Sequence, residues 1–144
     1  MKFSLSREAL LKPLQLVIGV VERRQTLPIL SNVLFSLSDK NLSITGTDLE
    51  VEIVGLTAVS TSEEEGSVTI SARKTLDICR SLPEGATLKF SSSEGKASIQ
   101  SGKSKFMLST LPASEFPTVD EGEKSLEFSV SGKDLQKLIE STSF

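Results

Sequence analysis

The sequence predicts an α+β fold built from antiparallel sheets and two amphipathic helices. Three observations predict it. Over residues 32–53, apolar and polar residues alternate with a period of two, the mark of half-buried strands. Two other stretches, within residues 10–21 and 76–82, carry apolar residues at helical spacing. The order strand, helix, three strands is written twice, and its short polar turns suit antiparallel meanders with one dry and one wet face.

Residues 1–5 alternate as a short strand, and Ser6 has the side chain to cap the helix that follows. Leu10, Leu14, Val17, Ile18 and Val21 form the apolar stripe of that helix, with Arg7, Lys12 and Gln15 largely off it. Pro13 lies inside it, where a proline removes a hydrogen bond and is expected to bend the axis. Residues 22–25 read as a charged loop. Three strands follow, marked by Val33, Phe35 and Leu37, by Leu42 and Ile44, and by Leu49, Val51 and Ile53, with a turn at Asp39 and Lys40. Glu63, Glu64 and Glu65 read as a solvated turn. Val68 and Ile70 then reopen the pattern, Ser71 can cap, and Leu76, Cys79 and Leu82 supply a second helical stripe that Pro83, Glu84 and Gly85 stop. Leu88 with Phe90, Ala97 with Ile99, and Phe106 with Leu108 mark three more strands.

After a proline-bearing link over 111–117, Phe128, Ser129, Val130 and Ser131 followed by Leu135 and Ile139 repeat the grammar of Phe3, Ser4, Leu5 and Ser6 followed by Leu10 and Leu14. One domain is therefore expected over 1–121 and the truncated start of a second over 122–144. A strand and helix without their meander bury their apolar faces badly. Residues 122–144 are accordingly expected to be poorly ordered or to pack on a neighbouring molecule.

Composition narrows the chemistry. The chain has 144 residues, 38% hydrophobic and 24% charged, which is ordinary for a globular domain. It has no histidine, which removes the commonest general base, the histidine triads and most zinc sites. Cys79 is the single cysteine, so no internal disulfide forms. No run approaches the roughly 18 apolar residues of a membrane span, and a cytoplasmic protein with no membrane partner is expected. The net charge of -3 is unevenly spread. Of 16 basic and 19 acidic residues, 7 basic and 3 acidic fall within 7–24 and 72–82, leaving 9 and 16 for the rest. Such a protein can attract a polyanion on one side and stay soluble on the other.

Candidate sites follow from that split. Arg73, Asp77 and Arg80 sit at helical spacing away from Leu76 and Cys79, and Arg23 and Arg24 end the first helical stretch. Each cluster alone describes a solvated face or a cation complementing a helix dipole. Their equivalent places in a repeat point to a shared electropositive surface that contacts phosphates without reading bases, since there is no Trp or Tyr to stack on them. Lys103, Lys105 and Phe106 lie on the last strand of the second unit and Lys96 on the strand before. There the lysines either guard a sheet edge or meet an acidic partner. Gly102, Lys103 and Ser104 resemble the end of a phosphate-binding loop, but position 97 is Ala rather than the required Gly and a strand follows instead of a helix. Asp48, Glu50 and Glu52 read as the wet face of a strand rather than cation ligands, and Cys79 as a small core residue. No metal and no cofactor is expected.

Taken together and in order, several stretches carry a resemblance: 10–14, 26–30, 42–50, 72–74 with 77–85, 101–106, 109–117 and 138–144. The chain resembles the bacterial sliding-clamp family, the beta subunits of DNA polymerase III, over its N-terminal domain. The resemblance implies a DNA clamp fold: two strand-helix-three-strand units with antiparallel sheets outside and two helices on the inner face. It implies a non-catalytic processivity factor, a ring of two chains with three similar domains each, encircling duplex DNA without reading its sequence. It assigns DNA-facing places to Arg24 and Arg73, and with them to Lys12, Gln15, Arg23 and Arg80. It also places Lys74, Ile78 and Phe106 at a homodimer contact with the third domain of the partner subunit, flanked by Lys96, Lys103 and Lys105. Several flanking positions are arginine in the family, and lysine keeps the charge without the bidentate geometry. The pocket for DNA polymerase III and clamp-loader peptides belongs to the second and third domains. This chain by itself is therefore expected neither to encircle DNA nor to bind those peptides. Two other classes remain open: an interaction module that recruits partners through an exposed edge strand without touching DNA, and an enzyme dependent on Asp48 and Glu50.

Overall fold

The computed structural model describes residues 1–21, 27–118 and 128–143. Strand β1 (Lys2–Ser6) enters helix α1 (Arg7–Val17), whose first turn is closed by Ser6 Oγ accepting the Ala9 N–H at 3.2 Å. Pro13 does not end this helix. It is buried on the apolar side with Leu10, Leu14 and Val17, and it lies over Gly55, where a Cβ would stand only 2.6 Å from the proline Cβ. The missing side chain on the sheet makes room for the ring on the helix.

Strands β2 (Asn32–Ser38), β3 (Asn41–Thr47) and β4 (Glu52–Ala58) form the first meander, and β5 (Thr61–Glu64) follows. Strand β6 (Gly66–Ser71), helix α2 (Ala72–Ser81) and strands β7 (Thr87–Ser93), β8 (Lys96–Ser101) and β9 (Ser104–Leu111) make the second unit. Helix α2 buries Ala72, Thr75, Leu76, Ile78 and Cys79, and after Leu82 the chain turns through Gly85 at φ 71, a left-handed conformation that glycine adopts without steric cost.

The nine strands run in the order β4-β3-β2-β6-β9-β8-β7-β1-β5, with every pairing antiparallel. Each meander takes its fourth strand from the other unit, since β6 pairs with β2 and β1 with β7. The two halves meet through a short step in which Thr69 and Ile70 face Leu111 and Thr110. Residues paired directly across a ladder share a face. Phe35, Ile44 and Val68 therefore point the same way, as do Phe3, Phe90 and Ile99. Phe90 stacks on Phe3 at 4.8 Å and meets Phe35 at 5.6 Å, so both halves close on one core with α1 and α2 packed against it.

Two expectations need correction. The third strand of the first meander is β4, three residues further on than Leu49. Residues 48–51 form a turn, because Thr47 Oγ1 accepts the Leu49 N–H at 3.0 Å and Asp48 Oδ1 accepts the N–H groups of Glu50 at 3.0 Å and Val51 at 2.7 Å. Short polar side chains thus outbid the ladder, leaving Leu49 at φ 80 and both Leu49 and Val51 exposed. The acidic run is likewise no simple turn. Glu63 and Glu64 lie in β5, with Lys2 at 2.6 Å from Glu63 and the N-terminal amine at 3.2 Å from Glu64, while Glu65 accepts the Asp39 N–H at 2.8 Å.

Helix α3 (Gly132–Thr142) is capped by Ser131, which accepts the Asp134 N–H at 3.2 Å. Every described residue from Phe128 to Ser143 is exposed, including Leu135, Leu138 and Ile139.

Candidate nucleic-acid interface

Helices α1 and α2 pack against each other, and a hydrogen-bond cluster ties the start of one to the end of the other. Arg7 Nε donates to the Cys79 carbonyl at 2.8 Å and an Arg7 terminal nitrogen to Glu8 at 3.0 Å, while the same Glu8 oxygen accepts the Gly85 N–H at 3.1 Å. The Gly85 N–H, the residue's own N–H and Arg7 together hold the Glu8 carboxyl below the usual range, because each favours the charged form. Arg7 thus serves as a half-buried strut between the helices. Sequence reasoning counted it only as a positive charge. The contact spans 72 residues, and nothing in local spacing reveals such a partner.

The strut fixes the sides that α1 and α2 turn away from the core. On α1 that side carries Lys12 and Gln15, both exposed, with Leu16 beside them. On α2 it carries Arg73, Asp77 and Arg80, also exposed. Lys12, Gln15, Arg73 and Arg80 therefore lie on the outer sides of two neighbouring helices. Arg23 and Arg24, the remaining members of that set, fall outside the described residues.

The second candidate cluster surrounds β9. Over residues 104–109 this strand pairs with β8 on one side only, and just Thr110 and Leu111 reach β6. Among the described residues its other edge is open, and it runs beside a surface cleft of about 340 Å³ lined in part by Lys74, Ser71 and Leu108. Lys96, Lys103 and Lys105 are exposed around it, and Phe106 is half-buried against the core. Ile78 differs from its neighbours in this set. It is 9% exposed and belongs to the chain's own core, where it backs the edge rather than projecting from it.

Other candidates resolve into structural roles. Gly102 and Lys103 make the tight turn between β8 and β9, with Ser101 paired to Ser104, so they cradle nothing. Asp48, Glu50 and Glu52 do not share a strand face, since the first two belong to the turn and Glu52 opens β4. No group of three potential metal-ligating residues occurs among the described residues. Hydrogen bonds from the Val51 and Glu50 N–H groups hold the Asp48 carboxyl below its ordinary range. Burial pushes the Cys79 thiol up to about 11, against a smaller opposing effect of the Arg7 charge, which keeps it protonated and unreactive. No helix among the described residues is long and apolar enough to cross a membrane.

Comparison with known proteins bears on the chain as a whole. The family model for the DNA polymerase III beta subunit, N-terminal domain, matches residues 1–120. The beta sliding clamp of Pseudomonas aeruginosa is 55% identical over 144 residues, covering 100% of this chain and 39% of the relative. That of Escherichia coli K12 is 47% identical over the same 144 residues and the same 39% of its length. Among solved structures, the DNA polymerase III subunit beta from Pseudomonas aeruginosa superposes with a TM-score of 0.94 at 53% identity, over 100% of this chain and 39% of that one. The Caulobacter crescentus pol III beta gives a TM-score of 0.91 at 39% identity, over 97% and 38%. The chain thus spans 39% of the length of the two sequence relatives.

Proposed function

From the chain's membership of the DNA polymerase III beta-subunit family, as its N-terminal domain, we propose that it forms one arc of a sliding clamp, a non-catalytic ring that encircles duplex DNA and keeps the replicative polymerase on its template. The observation that carries this reading is the family match over residues 1–120, joined to the placement of Lys12, Gln15, Arg73 and Arg80 on the outer sides of two adjacent helices. A ring that slides needs contacts that hold phosphates in any register. Exposed Arg and Lys side chains do this, whereas base-reading contacts would stall it. Arg23 and Arg24 take the same DNA-contacting role in this reading.

The open edge of β9 is the homodimer contact. There it adds a strand to a sheet of the partner subunit, with Phe106 and Lys74 at the centre and Lys96, Lys103 and Lys105 meeting acidic side chains at the rim. The unit over 1–121 is one clamp domain and 122–144 begins the next. The polymerase and clamp loader dock on the later domains, and the protein works in the cytoplasm.

The test uses a ring-length chimera in which residues 1–120 replace the matching segment of the Pseudomonas aeruginosa clamp. Replacing Arg24 and Arg73 by alanine is expected to impair loading onto DNA. Unchanged DNA behaviour would favour an interaction module whose basic helices are merely solvated.

A further inference from the structure

The exposed side of α2 is not uniformly basic. Ala72, Thr75, Leu76, Ile78 and Cys79 fill the buried side, and Arg73, Asp77 and Arg80 line the opposite one. At these spacings each is a surface neighbour of the next, about 5–6 Å apart at Cβ. A carboxylate therefore sits between two guanidinium groups on the helix that the proposed function turns towards DNA.

Asp77 precedes Arg80 by three residues, an order in which an acid and a base can support a helix modestly. Arg73 precedes Asp77 by four residues, the reverse of the order in which an acid and a base best stabilise a helix. Among the described residues Asp77 forms no ion pair with Arg73 or Arg80. The side chain is exposed.

We infer that Asp77 is a release residue: its carboxylate repels the phosphates that Arg73 and Arg80 attract, and so keeps either arginine from trapping the duplex in one register. This rests on the reading that α1 and α2 face DNA. Charges act on one another over about 10 Å at 0.1 M salt, so a carboxylate this close to both arginines acts on the same phosphates they do. Attraction alone would make each backbone contact deeper and movement between contacts slower. A repulsive charge inside the stripe flattens that profile without removing the attraction that keeps the duplex centred. The regulated property is therefore mobility along DNA rather than retention, which depends on ring closure.

The experiment follows the chimeric ring on stretched duplex DNA by single-molecule tracking. Asp77→Asn is expected to slow one-dimensional diffusion about twofold to fivefold at low salt, the range that one exposed charge contact supports. The difference should vanish near 0.5 M salt, where screening is roughly complete. Arg73→Gln should instead speed diffusion. Asp39→Asn at the β2–β3 turn changes net charge equally and should leave diffusion alone. An unchanged Asp77→Asn beside an altered Arg73→Gln overturns the inference and spares the DNA-facing reading. Equal slowing by Asp39→Asn overturns it too, as an effect of net charge alone. If neither Asp77→Asn nor Arg73→Gln moves the diffusion coefficient, the DNA-facing reading fails and the inference with it.

Discussion

Gly55 sets where α1 sits, because it offers Pro13 a seat that any side chain would fill. A Cβ there would lie 2.6 Å from the proline Cβ and 3.0 Å from its Cα, and backbone cannot yield as a flexible side chain can. Gly55→Ala is therefore expected to cost about 1–3 kcal/mol, the usual range for overpacking. Gly19→Ala, where nothing stands within 4 Å, should change little. Urea denaturation of both variants checks the contrast, and equal midpoints would refute the seat. The consequence reaches the surface, since α1 carries Lys12 and Gln15. At this scale the sequence was legible where chemistry is local. Ser6 reads as a cap and is one, and Cys79 reads as core and is buried. Arg7 was not legible, because its partner is a carbonyl at the far end of another helix. Gly55 was not legible for the same reason, since only the fold brings Pro13 over it.

Between β3 and β4, the first part of an apparent alternation, residues 48–51, proves to be a turn. Leu49, Val51 and Ile53 have the right period, but Thr47 and Asp48 offer the backbone a closer set of acceptors. The competing turn chemistry was present in the sequence and periodicity outranked it. The turn carries a pH signature. Its Asp48 carboxyl lies below the ordinary range, so the unfolded chain binds its proton at a higher pH than the fold does. The stabilisation it contributes is present above the ordinary carboxylate range and is lost as pH falls through the depressed folded value. Asp48→Asn should lower the urea midpoint at about pH 7 and differ less from the parent at a pH low enough to protonate the depressed carboxyl, where both carry an uncharged side chain. A deficit of the same size at both values would show that charge plays no part. The exchange of first strands between units had no sequence signal at all. Two identical grammars can pair within themselves or with each other, and only the shared core of Phe3, Phe35 and Phe90 chooses.

On the scale of the whole molecule, a repeat of strand, helix and three strands was enough to predict the antiparallel architecture, and the spacing of its motifs was enough to identify the family. The fold brings α1 and α2 together, and with them the exposed Lys12, Arg73 and Arg80. What periodicity leaves out is the open stretch of β9, because a strand's sequence does not state how many partners it has. Only the distribution of Lys96, Lys103 and Lys105 hints at it.

The central claim is that this domain works as one arc of a closed ring around DNA. Retention of the chimeric ring on nicked circular DNA, compared before and after the circle is cut once, tests it most directly. The account predicts that the loaded ring stays on the circle through gel filtration at high salt and slides off once the DNA is linear. Loss from the circle, or retention that survives linearisation, would contradict it.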